Sequence, residues 1–167
     1  LFLEIWDFSN DEYSDLKFYM PSAKSESDGF VQVFGDSPFD KHAITENAYI
    51  NIINNAKEYV YITTPYLIID NEMFTALKVC AASGVDVRII TPHIPDKKTV
   101  FYLTQSYYRK LLEFDVKIYE YLPGFMHSKL IISDNKIAMA GSVNLDFRSL
   151  YLHFEVSCLL YQNQCLK

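Results

Sequence analysis

The spacing of apolar residues changes period repeatedly along the chain, and each change marks an element. Residues 30–34, Phe-Val-Gln-Val-Phe, read as a short strand ended by a Gly35-Asp-Ser-Pro38 turn. From about residue 43 to 59 the spacing is helical, with Ile44, Ala48, Ile52 and Ala56 on one face and Thr45 or a polar neighbour as cap. Residues 60–64 form a buried strand stopped by Pro65. Residues 71–82 form a helix, with Asp70 or Asn71 as N-cap and Gly84 as its stop. A strand over 85–90 stopped by Pro92, a long helix over 97–114 and a strand over 116–119 follow. A hairpin over 127–141, an irregular turn around 146–150 and a strand over 153–161 complete the domain. Strands alternating with helices predict an α/β layered fold: a central mixed, mostly parallel sheet flanked by helices. Residues 30–167 make one domain. Residues 1–29 start as the apolar end of a helix that contains Trp6, then turn polar and read as a linker.

The hairpin concentrates the polar chemistry. Asp134 and Asn135 both tolerate positive φ and read as a two-residue loop. Such a loop sets Ser133 opposite Lys136, Lys129 opposite Ala140 and His127 opposite Ser142. Alternation along the strands then predicts His127, Lys129, Ser142 and Asn144 on one face, with Leu130, Ile132, Ile137 and Met139 on the other. An imidazole, an ammonium, a hydroxyl and a carboxamide together suit an oxyanion, phosphate above all. The histidine can attack phosphorus or move a proton, because its pKa lies near neutrality. No cysteine, second histidine or carboxylate pair stands at metal-ligand spacing here, so no metal and no cofactor is expected.

His127-x-Lys129, four residues, Asp134, six residues, then Gly141-Ser142-x-Asn144 resembles the HKD motif of the phospholipase D superfamily. The continuation Asn144-Leu-Asp146-Phe-Arg148-Ser149, through Phe154-Glu155, is most similar to the C-terminal catalytic half of bacterial cardiolipin synthases. Tyr61-Ile-Thr-Thr-Pro65-Tyr66, Gly84-Val-Asp-Val-Arg88 and the stretch from Val116 to Gly124-Phe add to the likeness, which covers roughly residues 30–161.

The resemblance implies a phospholipase D-like layered sandwich and a phosphatidyltransferase. That enzyme makes cardiolipin and glycerol from two phosphatidylglycerols through a phosphohistidine. The alternatives are a single-motif nuclease or phosphodiesterase acting as a homodimer, a hydrolytic phospholipase D, and a phosphatidylserine synthase. Lys129 and Asn144 would hold phosphate oxygens, and Ser142 and Glu155 would orient. Asp134, at the turn, and Gly141 take structural parts.

On the last strand Phe154, Val156, Cys158 and Leu160 are expected to share the apolar face, with His153, Glu155 and Ser157 opposite. A carboxylate there can hold a histidine N–H and stabilise the imidazolium. By resemblance Glu155 is the family's acidic orienter, whose histidine can belong to the other half. Tyr66 and His93 fall just past the carboxyl ends of two strands, where clefts form in open α/β sheets, and are candidates for a headgroup pocket. Arg148 reads as an ion-pair partner of Asp146 or a phosphate clamp, and His42 and His153 as structural or exposed.

Charge narrows the partners. The net charge of −6 is uneven: residues 1–40 carry −7 and residues 41–167 carry +1. No basic stripe of the kind a nucleic-acid binder needs is present, so no nucleic-acid partner is expected. Three cysteines without a CxxC read as reduced thiols of an intracellular compartment. No apolar run is long enough to cross a bilayer. With one HKD motif and no initiator Met, the chain reads as the C-terminal catalytic half of a longer enzyme. Its expected partners are anionic phospholipid (phosphatidylglycerol), the membrane through the parent protein, and the N-terminal HKD half or a homodimer mate. The expected location is the bacterial cell membrane, with the catalytic domain on its cytoplasmic side.

Overall fold

The computed structural model describes residues 2–22 and 28–167. Its architecture follows from where helical crossovers give way to hairpins. After helix α1 (Phe2–Asn10) and a 3-10 turn at Leu16–Tyr19 come β1 (Phe30–Asp36), α2 (Ile44–Asn55), β2 (Tyr59–Thr63) and a two-residue strand β3 (Leu67–Ile68). Then follow α3 (Asn71–Ala82), β4 (Asp86–Pro92), α4 (Lys98–Leu112) and β5 (Lys117–Tyr121). The chain ends with β6 (Leu130–Ser133), β7 (Ile137–Gly141), β8 (Leu145–Asp146), α5 (Phe147–Tyr151), β9 (Glu155–Tyr161) and a 3-10 turn at Gln164–Leu166.

Seven strands form one sheet in the order β1-β9-β7-β6-β2-β4-β5, and β3 pairs with β8 apart from it. The mixed sheet is as expected, but its parallel part is smaller. Only β2–β4 and β4–β5 pair in parallel; β6 joins β2 antiparallel, and β7, β9 and β1 continue antiparallel. The reason is connectivity. Parallel neighbours need crossovers, and helical ones link only β1 to β2, β2 to β4 and β4 to β5; β6 and β7 are joined by a tight turn, which makes them antiparallel.

These crossovers all move the same way across the sheet, and right-handed crossovers of that kind lay their helices on one face. The helices accordingly meet side by side, α2 against α3 and α3 against α4. Beneath them Val60, Ile62, Val87, Ile89, Ile131 and Met139 are fully buried. Each such side chain contributes about 1.5–3 kcal/mol by leaving water. The other face, with Tyr61, Arg88, Ile132 and Leu160, is half-buried. At its β1 edge Val31 and Val33 are exposed.

Carboxylates fix the helix starts. Asp70 is the N-cap of α3, its side chain accepting the Met73 N–H at 2.9 Å, as the sequence suggests. At α2 the expected Thr45 cap is replaced by Asp36, at the end of β1, which accepts the Thr45 N–H at 2.9 Å. Next to it, buried Glu46 meets Asp70, and the Tyr151 hydroxyl donates to Asp70. Burial, and then Asp70, push the Glu46 carboxyl up to about 7. The segment expected as an irregular turn is α5, and Tyr151 ties its end to the helix layer.

Candidate active site

The motif hairpin carries a one-residue correction. Asp134 and Asn135 both have positive φ, 54° and 51°, and the Lys136 N–H donates to the Ser133 carbonyl at 3.0 Å, closing the expected two-residue turn. The ladder nevertheless resumes with Ser133 opposite Ile137. Lys136 is therefore an extra residue, its carbonyl turned to the Gln162 N–H at 2.7 Å. Lys129 consequently lies opposite Gly141, whose N–H it accepts at 3.3 Å, and not opposite Ala140. His127 and Lys129 precede β6, so His127 has no ladder partner at Ser142. The core side of the hairpin is Ile131 with Met139 and Ser133 with Ile137; Leu130 and Ile132 take the other side. The faces of β9 are likewise reversed in burial. Glu155 and Ser157 are buried inward, while Phe154 and Val156 are 54% and 40% exposed.

Asp134 anchors the hairpin to the sheet. Its carboxylate accepts the N–H groups of Lys57, Glu58 and Tyr59 at 2.8, 2.9 and 2.9 Å. Burial opposes its ionisation, but these three donors outweigh burial and hold its pKa below the usual carboxylate range. Gly141 is fixed by contact: a Cβ there would sit 2.3 Å from the Val156 carbonyl oxygen and 2.8 Å from the Ser157 hydroxyl.

His127, Ser142 and Glu155 gather around Lys129, linked to it by one hydrogen bond and by charge. The Lys129 ammonium donates to the His127 carbonyl at 2.8 Å. Burial lowers its pKa, and the Glu155 carboxylate acts to raise it. Glu155 accepts the Ser142 hydroxyl, and that hydroxyl oxygen accepts the Val156 N–H at 3.0 Å. His127 stacks on Phe125 and meets Tyr66 edge-on, with ring centroids 5.5 and 6.4 Å away. Burial, then the Lys129 charge, hold its pKa below the usual histidine value, and Asp96 works against them. At neutral pH the imidazole is thus largely unprotonated and has a free electron pair for phosphorus. Asn144 stands apart from these contacts. Its amide donates to Ser149 Oγ at 2.9 Å, while its buried Oδ1 has no partner.

The other candidates divide. Tyr66 belongs to the site: its hydroxyl donates to Asp96, and burial and Asp96 push its pKa up to about 12. His93 is engaged by Glu120 at 2.7 Å. Arg148 makes no ion pair with Asp146, which caps α5 by accepting the Ser149 N–H at 2.8 Å. His42 is exposed.

Two further residues stand at the site. Asp96 lies in the loop after β4, at the strand end where a cleft is expected, and that position was its only signal. His153, read as structural or exposed, sits 3.4 Å from Glu155, as two residues on one side of a strand start can. Among the described residues no group of three or more His, Cys, Asp or Glu side chains is placed to hold a metal ion. No described helix is long and apolar enough to cross a membrane.

Comparison with known proteins places this geometry in context. The family model described as "Cardiolipin synthase, PLD-like domain" matches residues 49–167. A cardiolipin synthase of Halalkalibacterium halodurans is 42% identical over 98% of this chain and 33% of its own length. The chain spans about a third of the length of the curated relatives it matches. Among solved structures, Nuc of Salmonella typhimurium, a phospholipase D family member, superposes with a TM-score of 0.65 at 18% identity, over 81% of this chain and 84% of that one. The phosphatidylserine synthase of Haemophilus influenzae gives a TM-score of 0.65 at 18% identity, over 80% of this chain and 35% of that one. At these identities the two structures share the fold.

Proposed function

The chain belongs to the cardiolipin synthase family of phospholipase D-like domains, and from that premise we propose that it carries one half of a phosphatidyl-transfer site. In the proposed reaction an imidazole nitrogen attacks the phosphorus of phosphatidylglycerol. The N–P bond forms, the P–O bond to glycerol breaks, and glycerol leaves with a proton from a second histidine. The free hydroxyl of another phosphatidylglycerol then returns a proton to that second histidine. Its oxygen bonds phosphorus as the N–P bond breaks, giving cardiolipin. His127 takes one of the two histidine parts. The other histidine comes from an N-terminal HKD half of a longer parent or from a homodimer mate, with residues 30–167 as the C-terminal domain and 1–29 as the link. Lys129 and Asn144 hold phosphate oxygens, and Ser142 and Glu155 orient. The site acts on the cytoplasmic side of a bacterial cell membrane reached through the parent protein.

The observation that carries this reading is the cluster of His127, Lys129, Glu155 and Ser142, in which Lys129 bonds the His127 carbonyl, Ser142 bonds Glu155, and the Glu155 charge acts on Lys129. It sets a depressed-pKa imidazole beside an ammonium whose charge a buried carboxylate supports. The test is phosphatidyl transfer from phosphatidylglycerol by the parent polypeptide, with and without EDTA. His127→Ala should abolish transfer and Lys129→Ala should lower it by ~100- to 1000-fold, the usual cost of one pre-placed charge donor. EDTA should leave it unchanged. Retention of most activity in His127→Ala, or loss in EDTA, overturns the proposal.

A further inference from the structure

A cavity of about 290 Å³ is lined by Tyr66, whose ring also meets that of His127 edge-on. Its walls combine two kinds of chemistry. Lys97 and Arg148 supply two cations, and Ile68, Val100 and Phe147 supply apolar surface. Among the described residues neither the Lys97 ammonium nor the Arg148 guanidinium makes an ion pair or hydrogen bond, although the Lys97 charge acts on the neighbouring Asp96 carboxylate. One carboxylate, Asp146, also lines the cavity, with Oδ1 already held by the Ser149 N–H.

We propose that this cavity is a second phospholipid subsite, which binds the headgroup of an anionic glycerophospholipid next to the one that reacts at His127. This rests on the phosphatidyl-transfer reading above and adds where the second lipid sits. Lys97 and Arg148 take the phosphodiester, the guanidinium offering a planar pair of donors that suits phosphate oxygens. Asp146 has its remaining lone pairs for a glycerol hydroxyl. Ile68, Val100 and Phe147 cover the carbons of the glycerol backbone. The size supports a headgroup and excludes acyl chains, since the cavity lies at the lower end of the ~300–1,000 Å³ of small-molecule sites. Tyr66 is the shared wall. It touches the imidazole by its edge and lines the cavity, so a hydroxyl presented along it is directed toward His127.

The test is NMR titration of this chain with dihexanoyl phosphatidylglycerol below its micelle concentration, beside inorganic phosphate and dihexanoylglycerol. Phosphatidylglycerol should shift the Ile68 and Val100 methyls and the Phe147 amide saturably. The Lys97→Gln/Arg148→Gln double variant should weaken binding at those probes by ~10-fold or more while the shifts at His127 and Lys129 persist. Equal shifts of Val100 and Phe147 by inorganic phosphate would assign the cavity to a free anion and overturn the lipid subsite. Equal shifts by dihexanoylglycerol would show an apolar crevice that reads no phosphate, and overturn it too. Shifts at His127 and Lys129 without any at Val100 and Phe147 would overturn the subsite and leave phosphatidyl transfer standing. Silence at both would overturn the subsite and count against the transfer reading as well.

Discussion

Ser142 donates its hydroxyl proton to Glu155 across the β7–β9 ladder, and the same oxygen accepts the Val156 N–H. Both ends of the hydroxyl are spoken for, so Ser142 holds the carboxylate in one position beside Lys129. Glu155 acts to keep that ammonium protonated against burial. In Glu155→Gln the acceptor for Ser142 remains and the charge is lost, so the Lys129 pKa falls further. Transfer by the parent polypeptide should drop by ~100-fold. The alkaline limb of its pH–rate profile should move to lower pH, because less of Lys129 stays charged there. An unmoved alkaline limb would show that Glu155 does not act through Lys129.

Gly141 has no room for a methyl group. Its Cβ would lie 2.3 Å from a backbone carbonyl oxygen and 2.9 Å from the Ser157 Cα, and neither can turn aside as a side-chain tip does. Gly141→Ala should destabilise the chain by about 1–3 kcal/mol, the range for overpacking. The loss should appear as a lower urea midpoint with an unchanged slope.

Asp134 should act on stability and not on chemistry. Its removal in Asp134→Ala leaves three backbone N–H groups at the start of β2 without their acceptor, at about 1–3 kcal/mol. Because the folded-state pKa is depressed, the contribution is fully present above the unfolded value near pH ~4 and is lost as pH falls through the folded value. Urea midpoints of the two proteins should differ most at neutral pH and converge below pH ~4. A gap that stays constant on acidification would refute the role of the ionised carboxylate.

His127 should titrate below the ordinary histidine range, and its neighbours should move it in opposite directions. Lys129→Met removes a repelling charge and should raise the midpoint. Asp96→Asn removes an attracting one and should lower it. The His127 ring-proton shift across pH 4–8 measures both changes. Movement of the two variants in the same direction would contradict the geometry around the ring.

Much of this site is legible in the sequence because its parts are local. The motif spacing locates His127, Lys129 and Ser142, and the turn residues Asp134 and Asn135 adopt the positive φ their types permit. Asp70 caps α3 because capping needs only residues three apart. What escapes depends on distant partners. The Lys136 bulge is held by Gln162, just past the end of β9, whose N–H claims the Lys136 carbonyl. The Asp36 cap of α2 lies outside the helix it serves. The inward face of β9 cannot be picked by hydropathy, because the buried side chains are Glu155 and Ser157 and the exposed ones are Phe154 and Val156. The short pair β3–β8 is too brief for any periodicity to register.

Lys129 and Arg148 stand on different elements of the fold. Lys129 is carried by the strand hairpin that Asp134 pins to β2. Arg148 is carried by α5, whose last residue, Tyr151, is moored to Asp70 at the head of α3. Leu145, just before α5, is fastened by its N–H to the Thr64 hydroxyl at 3.0 Å and paired with Leu67. Arg148 is thus moored at both ends, to the helix layer through Tyr151 and to the end of β2 through Leu145, so helices and sheet together fix where it stands relative to Lys129. A substitution in the seam between helices and sheet would therefore reach the site through the two moorings of α5, and so through the place of Arg148.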